Sequence, residues 1–277
     1  MFQQITQEGS LNIEKERPLD QLRKLISIAC AIVGLACLSV PPAYGKGEVL
    51  AERIDLIRHG ESEDNPDAGR PVSRLDGSIA PSRGKVLSGW NSVSLTLLGV
   101  SQAVKAGEAL AQQDKNAGVR MQDALWLYSP LLRTRQTFSG VLVGAKLAET
   151  PTIKSRPDTR LFERSAGDLT NLTWDEAALQ WPEMKKGRQA AVFNSISAGY
   201  PNGESLEMVY RRASESLEEA IASERRVIVV SHELTIKALL AYLTKGRLDD
   251  SVFEFKVENA KPISLIRKDG GWIIVNH

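Results

Sequence analysis

The sequence predicts an α/β fold on a mostly parallel sheet, and three observations carry that prediction. Arg53–Arg58, residues 124–128 and residues 227–230 are short apolar runs of strand length. Each ends at a polar turn, and each is followed, at once or after a loop, by a stretch with helical periodicity. Strands alternating with helices in this way build a parallel sheet covered on its faces. The chain has 277 residues, with 42% apolar and 25% charged residues. That balance suits a globule and excludes a disordered, collagenous or multi-span membrane chain. Net charge is +1, so no global field points to DNA, RNA or an anionic membrane as partner.

Residues 1–45 read as a leader. The uncharged run at 25–40 follows Arg23 and Lys24. It is shorter than the ~20 residues needed to cross a bilayer and matches a signal-peptide core. Pro41, Pro42 and Ala43-Tyr44-Gly45 supply a break and a processing site, so export to a periplasmic or extracellular location is expected. The acidic residues Glu8, Glu14, Glu16 and Asp20 ahead of the run depart from the signal-peptide pattern, and a membrane anchor at 25–40 is the alternative. Both cysteines, Cys30 and Cys37, lie in the leader. Residues 46–277 therefore carry no thiol, which excludes thiol redox chemistry and thiolate metal sites.

Beyond the first strand, residues 66–89 are rich in Gly, Pro, Ser and Arg without periodicity and are expected to form a long inserted surface loop. Val100, Ala103, Val104, Gly107 and Ala111 mark an amphipathic helix over 96–113. The strand at 124–128 hands over at Ser129-Pro130 to a helix over 132–147. Leu206, Val209, Ala213, Leu217 and Ala220 share one face of a further helix. The strand at 227–230 then leads to a helix opened by His232. Phe253, Phe255 and Val257 alternate as in a strand, and Asp269-Gly270-Gly271 predicts a hairpin.

Carboxyl ends of parallel strands line one edge of a sheet, so Arg58, His59, Arg133 and His232 converge there. Helix amino termini at the same edge favour an anion, and a phosphate is the natural occupant.

Arg58-His59-Gly60-Glu61-Ser62, followed by Asn65, resembles the first motif of the histidine phosphatase superfamily, in its phosphoglycerate-mutase-like branch (branch 1). Leu95-Thr96 with Gly99 and Gln102, Ser129 to Thr134 with Gln136-Thr137, Leu161-Phe162-Glu163-Arg164, Gly203-Glu204-Ser205 and Val229 to His232 follow in family order. The resemblance runs from about Arg53 to Leu243. It implies a three-layer α/β/α sandwich, with residues 46–277 as a histidine phosphatase domain. It also implies His59 as a nucleophile that becomes a phosphohistidine, Glu163 as acid and base, and Arg164 against the remote part of the substrate. Arg58 and Arg133 offer guanidinium forks for phosphoryl oxygens, and His232, Ser62 and Asn65 offer hydrogen-bond donors.

Three departures from the mutase pattern favour hydrolysis. A substrate-contacting tyrosine is replaced by Ala166, and a substrate-binding lysine falls at Trp174. Paired arginines found in mutases have no counterpart between 187 and 201. The expected enzyme is a phosphomonoesterase acting on a small phosphorylated substrate. A mutase-type phosphotransferase and a weak phosphate-binding protein are the alternatives. With only His59, His232 and the terminal His277, no metal and no cofactor is expected. Glu233 stands where the family usually has glycine, and such a carboxylate repels phosphate unless it is paired.

Overall fold

The computed structural model describes residues 51–114, 120–189 and 195–275. The leader and His277 lie outside the described residues. Six strands form one sheet: β1 (Arg53–Arg58), β4 (Leu125–Tyr128), β5 (Lys154–Pro157), β6 (Arg226–Ser231), β7 (Ile263–Lys268) and β8 (Gly271–Ile274). Their order is β5-β4-β6-β1-β7-β8. The first four are mutually parallel; β7 runs antiparallel to β1, and β8 antiparallel to β7. The fold is α/β, as the sequence predicts.

Both faces of the central strands are covered, which is why those strands are apolar throughout. Leu56, Leu127, Val227 and Val229 face α4 (Leu206–Ile221) and α5 (Glu233–Lys245). Their neighbours Ile57, Trp126, Ile228 and Val230 face α1 (Leu97–Asp114) and α2 (Leu132–Gly144). The alternation is the ordinary period of a strand, and it yields three layers. A third cluster lies beyond the sheet edge. Leu206 and Val209 of α4 and Leu234 and Ala238 of α5 support Ala166, Leu169 and the short helix α3 (Trp174–Gln180).

Three expectations change. Within 66–89, β2 (Pro71–Ser73) and β3 (Ile79–Pro81) pair as an antiparallel hairpin, so this insertion is not structureless. Its cations are matched: Arg70 meets Glu61, Arg74 lies 3.0 Å from Glu63, Arg83 3.0 Å from Glu176 and Lys85 3.0 Å from Asp67. The alternation at Phe253, Phe255 and Val257 is not a strand. Asp250–Glu254 forms a 3-10 turn capped by Asp249, and the phenylalanines pack against the core from it. The helix expected over 132–147 stops at Gly144, because Lys146 turns into the left-handed region at φ 60°. The predicted hairpin at Asp269 and Gly270 forms, with both residues at positive φ.

Candidate active site

Strand register assembles the site. Arg58 pairs with Ser231 across β1 and β6, and Tyr128 pairs with Val230 across β4 and β6. His59, Ser129 and His232 therefore leave the sheet side by side. The two imidazoles stand 5.3 Å apart, centroid to centroid, in an edge arrangement.

His59 is 4% exposed. Its Nδ1 lies 2.8 Å from the Gly60 carbonyl oxygen, which can only accept, so Nδ1 carries the proton and Nε2 keeps its lone pair. Burial, then Arg133, then Arg58 hold its pKa well below the usual imidazole value, so the ring is neutral near pH 7. His232 is fully buried, and burial, Arg133 and His59 likewise hold its pKa well down. Its Nε2 lies 2.8 Å from Ser129 Oγ. When that hydroxyl donates, Nδ1 carries the hydrogen, and Nδ1 has no hydrogen-bond partner among the described residues. A buried donor without a partner is costly, and an anion beside the ring would satisfy it.

Arg133 is 2% exposed, and its guanidinium donates to the carbonyls of Asn91 (2.9 Å) and Gly89 (2.8 Å). Burial lowers its pKa to about 10, against the opposing pull of Glu163 and Asp64. Arg58 donates to the Val257 carbonyl at 2.9 Å and pairs with Glu233 at 3.1 Å. Lys237 lies 3.6 Å from the same carboxylate, so Glu233 is paired on both sides. Glu163 accepts from the Arg164 amide at 2.9 Å. Burial raises its pKa, outweighing that hydrogen bond and the nearby Arg133.

The remaining predicted residues fall in different places. Asn65 lines the cleft, and its Oδ1 accepts from the Ser62 amide at 3.0 Å. Ser62 is fully buried behind the lining, its hydroxyl without a partner among the described residues. Arg164 lines the cleft, yet it is 2% exposed. It donates to the Glu204 and Ala198 carbonyls, each at 2.7 Å, and stacks over Tyr200 at 4.2 Å.

Other motif residues build the frame. Gln102 accepts from the Glu61 amide at 2.8 Å, and Thr137 Oγ1 accepts from the Gly60 amide at 3.0 Å. A Cβ on Gly60 would lie 2.3 Å from the Gly99 carbonyl oxygen, so the turn after His59 rests directly on α1. Arg212 donates to the Phe162 (2.8 Å) and Glu163 (3.0 Å) carbonyls and pairs with Glu204 at 2.8 Å, which fixes the Glu163 segment. Ser205 caps α4, accepting from the Met208 amide.

Sequence reasoning missed the 88–91 turn as a holder of both Arg133 and Glu163. Gly89 sits at φ 47°, where a Cβ would lie 2.9 Å from the Ala166 amide nitrogen, and Trp90 Nε1 donates to the Glu163 carbonyl at 2.7 Å. The Gly89-Trp90 pair was the available signal. Asn259, which donates to the His59 carbonyl at 2.9 Å, had none. The cleft measures about 300 Å³, and Asp64, Leu87, Trp174 and Tyr200 complete its walls. Among the described residues no group of three or more His, Cys, Asp or Glu could hold a metal, and no helix is long and apolar enough to cross a membrane.

The family model described as histidine phosphatase superfamily (branch 1) matches residues 54–277. A 2,3-bisphosphoglycerate-dependent phosphoglycerate mutase of Methylocella silvestris is 31% identical over 195 residues, 69% of this chain and 80% of the relative. Among solved structures, a mycobacterial glucosyl-3-phosphoglycerate phosphatase in complex with VO3 aligns with TM-score 0.59 and 27% identity, covering 81% of this chain and 97% of that one. The Escherichia coli K-12 structure described as a putative alpha-ribazole-5'-P phosphatase aligns with TM-score 0.59 at 22% identity, covering 81% and 94%.

Proposed function

Because the chain belongs to branch 1 of the histidine phosphatase superfamily, we propose that it is a phosphomonoesterase that hydrolyses a small phosphate ester through a phosphohistidine on His59. The observation that carries this reading is the His59 ring: buried, neutral, and fixed by Gly60 so that Nε2 is the nucleophilic atom.

In the first step Nε2 attacks phosphorus, the N–P bond forms, and the P–O ester bond breaks with its electron pair on the leaving oxygen. Arg58, Arg133 and the His232 Nδ1–H face the charge on the transferring oxygens. Glu163 supplies the leaving oxygen with its proton. The raised pKa of that carboxyl keeps a protonated fraction at higher pH than an ordinary carboxylate would. In the second step the Glu163 carboxylate takes a proton from water, the water oxygen bonds to phosphorus, and the N–P bond breaks with its electron pair on Nε2, which releases phosphate and returns His59 to its neutral form.

The relatives named as mutases favour a phosphotransferase as the second reading. Against it stand Ala166 and Trp174, which line the cleft where the mutase pattern has a tyrosine and a lysine. Each lost charge-assisted hydrogen bond to a substrate carboxylate costs on the order of 1.5–3 kcal/mol. We also propose that residues 1–45 direct export, which fractionation of cells expressing the full chain tests.

Hydrolysis of p-nitrophenyl phosphate by the purified chain, unchanged by chelator and absent in His59→Ala, is the expected result. Interconversion of phosphoglycerates that requires a bisphosphoglycerate, without hydrolysis, would instead establish the mutase.

A further inference from the structure

Given the hydrolase reading above, we propose that the cleft takes phosphate monoesters of uncharged alcohols and rejects those whose alcohol carries a second anionic group, with Glu233 and Asp64 as the specificity-determining residues. Glu233 is the first residue of α5, directly after His232. It is only 7% exposed and lines the cleft. Arg58 at 3.1 Å and Lys237 at 3.6 Å hold its carboxylate in place, and Lys237 is itself anchored to the Phe253 carbonyl at 3.2 Å. The positive end of the α5 dipole adds to this hold. Asp64 lines the same cleft and is fixed by the Ser88 hydroxyl at 2.7 Å.

The buried cation of the cleft wall is committed elsewhere. Arg164 is turned to the Glu204 and Ala198 carbonyls and to the Tyr200 ring. Lys85 stands at the solvent-exposed rim, 3.0 Å from Asp67. Val86, Leu87, Ala166 and Trp174 supply apolar wall between them. Once the phosphoryl group draws on Arg58 and Arg133, Glu233 is left with Lys237 at 3.6 Å as its counter-charge, and a second anion meets that carboxylate, Asp64 and the apolar wall. A hydroxyl or an alkyl group meets no such repulsion.

Glycerol 3-phosphate and 3-phosphoglycerate test this, because they differ only in a CH2OH group against a carboxylate and so match in leaving-group chemistry. We expect kcat/KM to favour glycerol 3-phosphate by about 10-fold or more, and Glu233→Gln, which keeps shape and removes charge, to cut that ratio about 5-fold or more, chiefly through KM for phosphoglycerate. Asp64→Asn should move the ratio in the same direction and serves if Glu233→Gln does not fold. A wild-type ratio of one or below, or a ratio unmoved in both variants, overturns the proposal. If p-nitrophenyl phosphate is hydrolysed while the ratio fails, only this inference falls. If none of the three esters is turned over, the hydrolase reading falls with it.

Discussion

The two ends of the same sheet carry opposite kinds of charge cluster. At the amino ends of β1 and β6, Asp55 and Arg226 are both fully buried and pair at 2.8 Å. Arg53 donates to Asp55 at 2.9 Å, Ser264 Oγ donates to it at 2.6 Å, and Arg226 also meets Asp114. Cations and carboxylates there answer one another within the protein. At the carboxyl ends of the same two strands stand Arg58, His59 and His232, with Arg133 beside them. Here both imidazoles are forced neutral by burial and by the arginines, and His232 Nδ1 lacks a protein partner among the described residues. A cluster closed on itself maintains a fold. A cluster left open toward a cleft is arranged for a ligand that brings the missing negative charge.

This contrast breaks or sharpens under mutation. The largest effect belongs to the open end: His59→Ala should reduce p-nitrophenyl phosphate turnover to the buffer background while leaving the unfolding midpoint close to wild type. Glu163→Gln should lower kcat by on the order of 10²–10⁴ and leave the fold intact, read by steady-state kinetics beside circular dichroism. The closed end should show the reverse pattern. Asp55→Ala takes from the buried Arg226 one of its two carboxylates and from Arg53 its carboxylate partner, and should cost about 3–5 kcal/mol in urea unfolding, with kcat/KM of the folded fraction unchanged. A large kinetic defect in Asp55→Ala, or a large stability loss in His59→Ala, would erase the distinction between the ends.

Two smaller effects refine it. Inorganic phosphate at 100 times its Kd should stabilise the protein by about 2.7 kcal/mol, and Arg133→Ala should abolish most of that gain. Protons act on the same cluster. In the unfolded chain each imidazole titrates near 6.5, and in the fold both lie well below it. Below about pH 6.5 the unfolded chain thus binds more protons, so this contribution to stability is complete above that pH and is lost as pH falls. The loss is at most ~1.4 kcal/mol per histidine per pH unit, measured as a shift in urea midpoint between pH 7.5 and 5.5. The same shift keeps the His59 ring neutral in mild acid. An activity profile whose acidic limb titrates on the enzyme near pH 6.5 would contradict the depressed imidazole.

What was legible in the sequence follows from burial. β1 and β6 could be read because both of their faces are apolar, and the helices at 97–114 and 206–221 because each hides one stripe. β5, Lys-Ser-Arg-Pro at the sheet edge, offered no apolar signal, since only one neighbour and one register define it. Phe253 and Phe255 misled because two rings reaching a core from a 3-10 turn can mimic strand alternation. The hairpin in the insertion was hidden by its Gly, Pro and Ser content. At the site, His59, Arg58, Arg133, Glu163 and His232 could be named because they stand in motifs that resemble a family's, and a motif is spelled in side chains. The carbonyls of Gly89, Asn91 and Gly60 that aim them are backbone groups, and any residue supplies one.

The central claim is that His59 briefly carries the phosphoryl group. Rapid acid-free quenching of the purified chain with phosphate-labelled substrate, followed by peptide mapping, tests it most directly. An acid-labile, alkali-stable label on the peptide containing His59, absent in His59→Ala, is the predicted result. Turnover with no label on that histidine, or label on another residue, would contradict the account.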